Sequence, residues 1–137
     1  MYTPVHSRTA SAAYRQVGVQ SGVDGATPQT LIKMLFDGLI QSLNAARGAM
    51  ARGDVAEKGR QLGRAVRILE EGLKGGLDAQ RGGELAANLG ALYDYCIARL
   101  THANLRGDVA AVEEVLKLVA PVADGWNQLA AAPAGRA

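Results

Sequence analysis

The sequence predicts an all-α protein, an antiparallel up-down four-helix bundle with helices over about 28–51, 54–77, 84–105 and 108–130. Three observations predict it. Apolar residues recur every three or four positions through each of these stretches, the spacing of one helix face. The phrase Arg-Gly-Asp-Val-Ala occurs twice, at 52–56 and 106–110, each time between two such stretches. The composition is 48% hydrophobic and only 4% aromatic, so the core falls to Leu, Val, Ile and Ala, the usual filling of a bundle. A glycine that ends one helix and an aspartate that caps the next explain both copies of the phrase as tight antiparallel links. An integrin-ligand reading of Arg-Gly-Asp would need secretion, for which the N-terminus offers no signal.

Residues 1–26 are rich in Ser, Ala, Gly and Thr without a sustained period, and read as a flexible N-terminal segment. Within it, Tyr14, Val17 and Val19 form a short apolar patch. Two readings stay open for it: tail residues that happen to be apolar, or a piece that packs reversibly on the bundle. The bundle domain is expected over 27–131, followed by a disordered tail, 132–137.

Thr27 is a good N-cap and Pro28 suits the first helical position, where its missing N–H costs nothing. On a helical wheel the apolar residues of 28–51 sweep roughly 240°, far wider than the roughly 100° stripe of a helix at a core edge. Either neighbours enclose this helix nearly all round, or part of it awaits a partner. In the second helix Asp54 is the expected N-cap, with Glu57 three residues on as in a capping box. Its core stripe reads Val55, Leu62, Ala65, Val66, Leu69, Leu73 and Leu77, with Ile68 off the stripe. Gly59, Gly63, Gly72, Gly75 and Gly76 interrupt it, which means close approach by a neighbour or low local stability.

A link over 78–83 leads to Glu84, well placed at the positive end of the third helix. Leu85, Leu89, Leu92, Tyr93, Cys96, Ile97, Leu100 and Ala103 form its apolar face. The fourth helix follows Asp108 with Val109, Val112, Val115, Leu116, Val119, Val122, Trp126 and Leu129, and Pro121 on its polar side is expected to kink it.

The charge pattern excludes several function classes. A net charge of +2 with both signs interspersed gives no nucleic-acid footprint. No stretch reaches the length of a membrane-spanning helix. A single cysteine, Cys96, on an apolar face reads as a small buried residue in a reducing compartment, and a cytoplasmic location is expected. His6 and His102 lack partners at metal-ligand spacing, and no glycine-rich phosphate loop occurs, so no cofactor, metal or catalytic residue is expected. The stretch from His102 to Gly107 loosely resembles the phosphoacceptor region of histidine phosphotransfer bundles, though the glycine is displaced by one residue and the helix is ending. That is the alternative reading. The main one is recognition through apolar surface: Ile32, Phe36, Ile40 and Leu43 on the first helix, Ile68 on the second, and Leu89, Tyr93 and Ile97 on the third could line grooves for a partner's amphipathic helix.

Taken in order, Tyr14-x-x-Val17-x-Val19, Thr27-Pro28-x-x-Leu31-Ile32-x-Met34-Leu35-Phe36-Asp37-Gly38, Gly53-Asp54, and Gly72-Leu73-x-x-x-Leu77-Asp78 resemble the flagellin-specific export chaperone family, FliS. Gly82-Gly83-Glu84, Asn88-Leu89-x-x-Leu92-Tyr93-Asp94-Tyr95, Ala103-Asn104-Leu105 and Ala123-Asp124-x-Trp126 continue the match over nearly the whole chain. The resemblance implies a non-enzymatic chaperone that binds the disordered C-terminal segment of flagellin, prevents premature polymerisation and assists delivery to the flagellar type III export apparatus. An export-gate component and flagellar regulators are further candidate partners. It also implies that Tyr14, Val17 and Val19 cover a groove when no client is bound, and it adds Asn104 to the candidate partner contacts.

Overall fold

The computed structural model describes residues 27–77 and 79–131. The expected N-terminal segment, with Tyr14, Val17 and Val19, and the expected tail lie outside the described residues. The elements are α1 (Pro28–Ala51), α2 (Val55–Arg67) running directly into a π-helical segment (Ile68–Lys74), α3 (Ala79–Arg106) and α4 (Val109–Ala131). Helix α1 packs on α2, the π segment and α4, and α3 packs on the other side of the same three elements. The pairs α1–α3 and α2–α4 are therefore diagonals of a four-helix bundle.

The wide apolar arc of α1 is resolved by enclosure. Leu35, Phe36, Leu39, Leu43 and Ala46 are all in the core cluster, with Leu62, Ala65, Leu69 and Leu73 facing them. From the other half come Tyr93, Cys96, Leu100 and Ala103 of α3 and Ala111, Val112, Val115, Val119 and Ala123 of α4. Positions 93, 96, 100 and 103 alternate steps of three and four, the knobs-into-holes rhythm of helices crossing at a shallow angle. Ser42, a buried polar side chain within the core, accepts a hydrogen bond from Arg64 Nη1 at 2.5 Å. The same nitrogen donates to Gly38 O at 3.2 Å, and the Arg64 side chain lies over Gly38, where a Cβ would come within 3.1 Å of Nη2.

The helix ends follow the expected caps. Thr27 Oγ1 accepts from Thr30 N at 3.1 Å, with Pro28 next in the chain. Both Arg-Gly-Asp links place the glycine in the left-handed region, Gly53 at φ 74° and Gly107 at φ 67°. The aspartate N–H then reaches back five positions, Asp54 N to Ala49 O at 2.8 Å and Asp108 N to Ala103 O at 3.1 Å. Gly53 N adds a bond to Met50 O at 3.3 Å, which completes a Schellman motif. Asp54 Oδ1 accepts from Glu57 N at 3.1 Å and Asp108 Oδ1 from Ala110 N at 3.1 Å.

The structure departs from several expectations. The capping box is only half formed, because Asp54 N is already committed to Ala49 and the Glu57 carboxylate turns to Arg60 and Gln61. Val55 is 70% exposed and Val109 39%, since both precede the first core residues of their helices, Leu62 and Ala111, and lie at the pole of the bundle. The second helix does not run as one α-helix to 77. It widens after Arg67 and ends at Lys74. The third begins early, with a short turn from Ala79 broken by Gly83 at φ 54°, ψ −126°, so that the regular helix starts at Glu84 as expected. Helix α4 stays helical through an exposed Pro121.

Candidate functional site

The pole opposite the two Arg-Gly-Asp turns holds an open pocket of about 240 Å³. Helices α1, α3 and α4 and the chain around the end of the π segment contribute to it. The first turns of α1 supply Ile32, the π segment supplies Leu73, the turn after it supplies Gly76 and Leu77, and α4 supplies Trp126. The longest wall is α3, with Gly82, Leu85, Ala86, Leu89 and Tyr93. Two glycines of α3 lie along this wall. A Cβ at Gly82 would fall 2.5 Å from that of Ala86, and one at Gly90 would meet Leu77 Cδ1 at 3.5 Å. Leu85 is 64% exposed at the rim, whereas Tyr93 is buried at the floor.

No charged side chain lines this pocket. The nearest ion pair along the chain, Lys74 Nζ to Asp94 Oδ1 at 2.7 Å, joins the π segment to α3 and leaves both groups exposed. The hydrogen bond to Asp94 pushes the Lys74 ammonium pKa up. An apolar, concave cavity of this kind suits apolar side chains, and its lining carries no charged group.

Of the sequence-predicted contact residues, the pocket unites Ile32, Leu89 and Tyr93. Phe36 and Leu43 have no exposed surface and belong to the core. Ile40, Ile68 and Ile97 are half-buried and packed against that core, Ile68 with its Cδ1 3.4 Å from the Cβ position of Gly38. Asn104 is exposed at the far pole, where its carbonyl accepts from Lys58 Nζ at 3.0 Å. Sequence reasoning placed Leu73, Leu77, Leu85 and Trp126 in core stripes and so missed them as pocket residues. The available signal was the glycine pairs at 75–76 and 82–83, which mark the end of the π segment and the break near the start of α3.

The polar groups elsewhere serve the fold. Glu114 of α4 accepts from Tyr95 Oη at 2.6 Å and from Arg99 Nε at 2.8 Å, both on α3. These bonds, Tyr95 first and Arg99 second, hold its carboxyl below the usual carboxylate range. His102, the residue of the phosphotransfer reading, lies near the end of α3 with Nε2 3.2 Å from Asp108 Oδ2. Burial pushes the Cys96 thiol up to about 11, an inert form. Among the described residues no group of three or more His, Cys, Asp or Glu is placed to hold a metal, and no helix is long and apolar enough to cross a membrane.

The family model for the flagellar protein FliS matches residues 10–133. The flagellar secretion chaperone FliS of Salmonella typhimurium is 47% identical over 125 residues, covering 91% of this chain and 93% of its own. The flagellar secretion chaperone FliSB of Pseudomonas aeruginosa is 42% identical over 123 residues, 90% of this chain and 97% of its own. FliS of Bacillus subtilis is 34% identical over 109 residues, 80% of each chain. The chain therefore belongs to the FliS family, a family of flagellar secretion chaperones rather than of enzymes.

Proposed function

We propose that this protein is a cytosolic chaperone that binds the disordered C-terminal segment of flagellin, prevents its premature polymerisation and assists its delivery to the flagellar type III export apparatus. The observation that carries the reading is the open pocket between the end of the π segment and the start of α3, whose lining is almost wholly apolar. Such a surface gains free energy by taking apolar side chains out of water, which suits an unfolded client that becomes helical on binding. The names of the relatives supply the export setting. Ile32, Leu89 and Tyr93 are the proposed contacts within the pocket. Ile40, Ile68 and Ile97 extend the apolar surface along the bundle.

The N-terminal segment enters the fold at Thr27, close in sequence to the pocket residue Ile32, so Tyr14, Val17 and Val19 are proposed as a displaceable cover. Phe36 and Leu43 act indirectly, as the floor beneath the half-buried residues, and Asn104 is proposed as an outlying contact. Delivery would bring in an export-gate component, and flagellar regulators are further partners of the same proposal. No observation favours the phosphotransfer alternative.

The test is titration calorimetry with the C-terminal segment of flagellin from the same organism. A one-to-one complex with negative heat-capacity change is expected, and Leu89→Asp should weaken it at least about tenfold while Val55→Asp at the far pole leaves it unchanged. Absence of binding by the folded wild-type chain refutes the client assignment. Tyr14→Ala with Val19→Ala should change client affinity without changing the unfolding midpoint.

A further inference from the structure

The row Ala65, Leu69, Leu73, Leu77 repeats every four residues. On an α-helix such a row drifts by about 40° per repeat and so leaves a fixed neighbour. The helix widens instead: Ile68–Lys74 is π-helical, and Gly75 N donates to Glu70 O, five residues back, at 3.0 Å. The next two donors reach back four and then three residues, Gly76 N to Gly72 O and Leu77 N to Lys74 O, each at 3.1 Å. Three helical pitches thus succeed one another at the wall made by Leu73, Gly76 and Leu77.

A π turn carries one more residue than an α turn and persists only where its surroundings hold it. Here Gly72 is pressed against Leu35, whose Cδ2 would stand 2.9 Å from a Cβ, and Lys74 is tied to Asp94. At Gly75 a Cβ would fall 2.5 Å from Glu71 O. The pocket beside this segment is about 240 Å³. That is smaller than the roughly 300 Å³ at which ordinary ligand pockets begin.

We propose that the π segment is a reserve of one residue that resizes the pocket: when an apolar client helix enters, the extra residue moves into the Gly75–Gly76 end, Ile68–Lys74 becomes α-helical, and Leu73 and Leu77 turn relative to α3. The client drives the change because it gains apolar contact only in the enlarged form. Glycine at 72 allows the backbone to slide past Leu35. Glycines at 75 and 76 accept the extra residue. The inference rests on the client reading above.

The test combines the full chain, the flagellin C-terminal segment and a variant lacking the exposed Glu71, which removes the reserve. The variant should keep its helical signal and cooperative unfolding yet bind at least about fivefold more weakly. In the wild type, amide exchange over Ile68–Leu77 should change on saturation with the segment. Equal affinity of the deletion variant overturns the proposal. Unchanged amide exchange in a wild-type chain that binds overturns it as well, and decides alone should the variant not fold. A wild-type chain that binds no segment refutes the client reading, and this inference with it.

Discussion

Three glycines with equal free space should respond to alanine with opposite signs. At Gly53, Gly107 and Gly59 an added Cβ would meet nothing within 4 Å, so packing contributes to none of the three. Gly53 and Gly107 lie at φ 74° and 67°, where an L side chain costs about 1–2 kcal/mol. Alanine also removes freedom from the unfolded chain, which returns about 0.4–1 kcal/mol. Each substitution should therefore destabilise by about 1 kcal/mol, and the double variant by about 2, because the two new methyl groups touch nothing in common. Gly59 lies inside α2, where alanine should stabilise by up to about 1 kcal/mol. Urea unfolding followed by far-ultraviolet circular dichroism reads all four variants from their midpoints. A neutral Gly53→Ala, or a destabilising Gly59→Ala, refutes the reasoning that backbone conformation alone sets the sign. Asparagine at 53 or 107, which tolerates the left-handed region, should lose less than alanine.

The other predictions concern side chains. Arg64→Ala should destabilise by about 1–2 kcal/mol in the same assay by leaving the buried Ser42 hydroxyl without its donor. Adding Ser42→Ala should recover part of that loss. Glu114 has its folded pKa lowered by Tyr95 and then Arg99, so its contribution is present above the unfolded carboxylate value and lost as pH falls through the folded one. Glu114→Gln should accordingly lower the melting temperature at neutral pH, with the difference from wild type vanishing in acid below that folded value. Cys96, buried with its thiol pushed up to about 11, should resist a thiol reagent in the native protein and react once the chain is unfolded in urea.

The bundle and its caps were legible because they rest on local rules. Thr27, Asp54 and Asp108 announce helix starts, Gly53 and Gly107 announce stops, and the three-four rhythm of α3 and α4 marks the face each buries. The π segment was not legible, since a four-residue spacing from Ala65 to Leu77 also fits an α-helix whose stripe broadens. Its surroundings lie partly in α1, where Leu35 occupies the space beside Gly72. The site was half legible for a similar reason. A wheel shows that Phe36 and Ile32 are both apolar, but it does not show that Phe36 is fully enclosed in the core while Ile32 reaches the open pole. Val55 and Val109 were misplaced because a periodic pattern carries no information about where the bundle ends.

Trp126 is the only indole in the chain, and it is partly buried against the core at the pocket wall. Fluorescence excited selectively at tryptophan therefore originates entirely beside that cavity. Displacement of water there by any occupant should shift the emission towards the blue without an attached dye, whereas solvent entry should redden it. The protein thus contains an intrinsic optical gauge of occupancy, readable in stopped flow, which separates the moment of filling from slower rearrangement of the surrounding backbone.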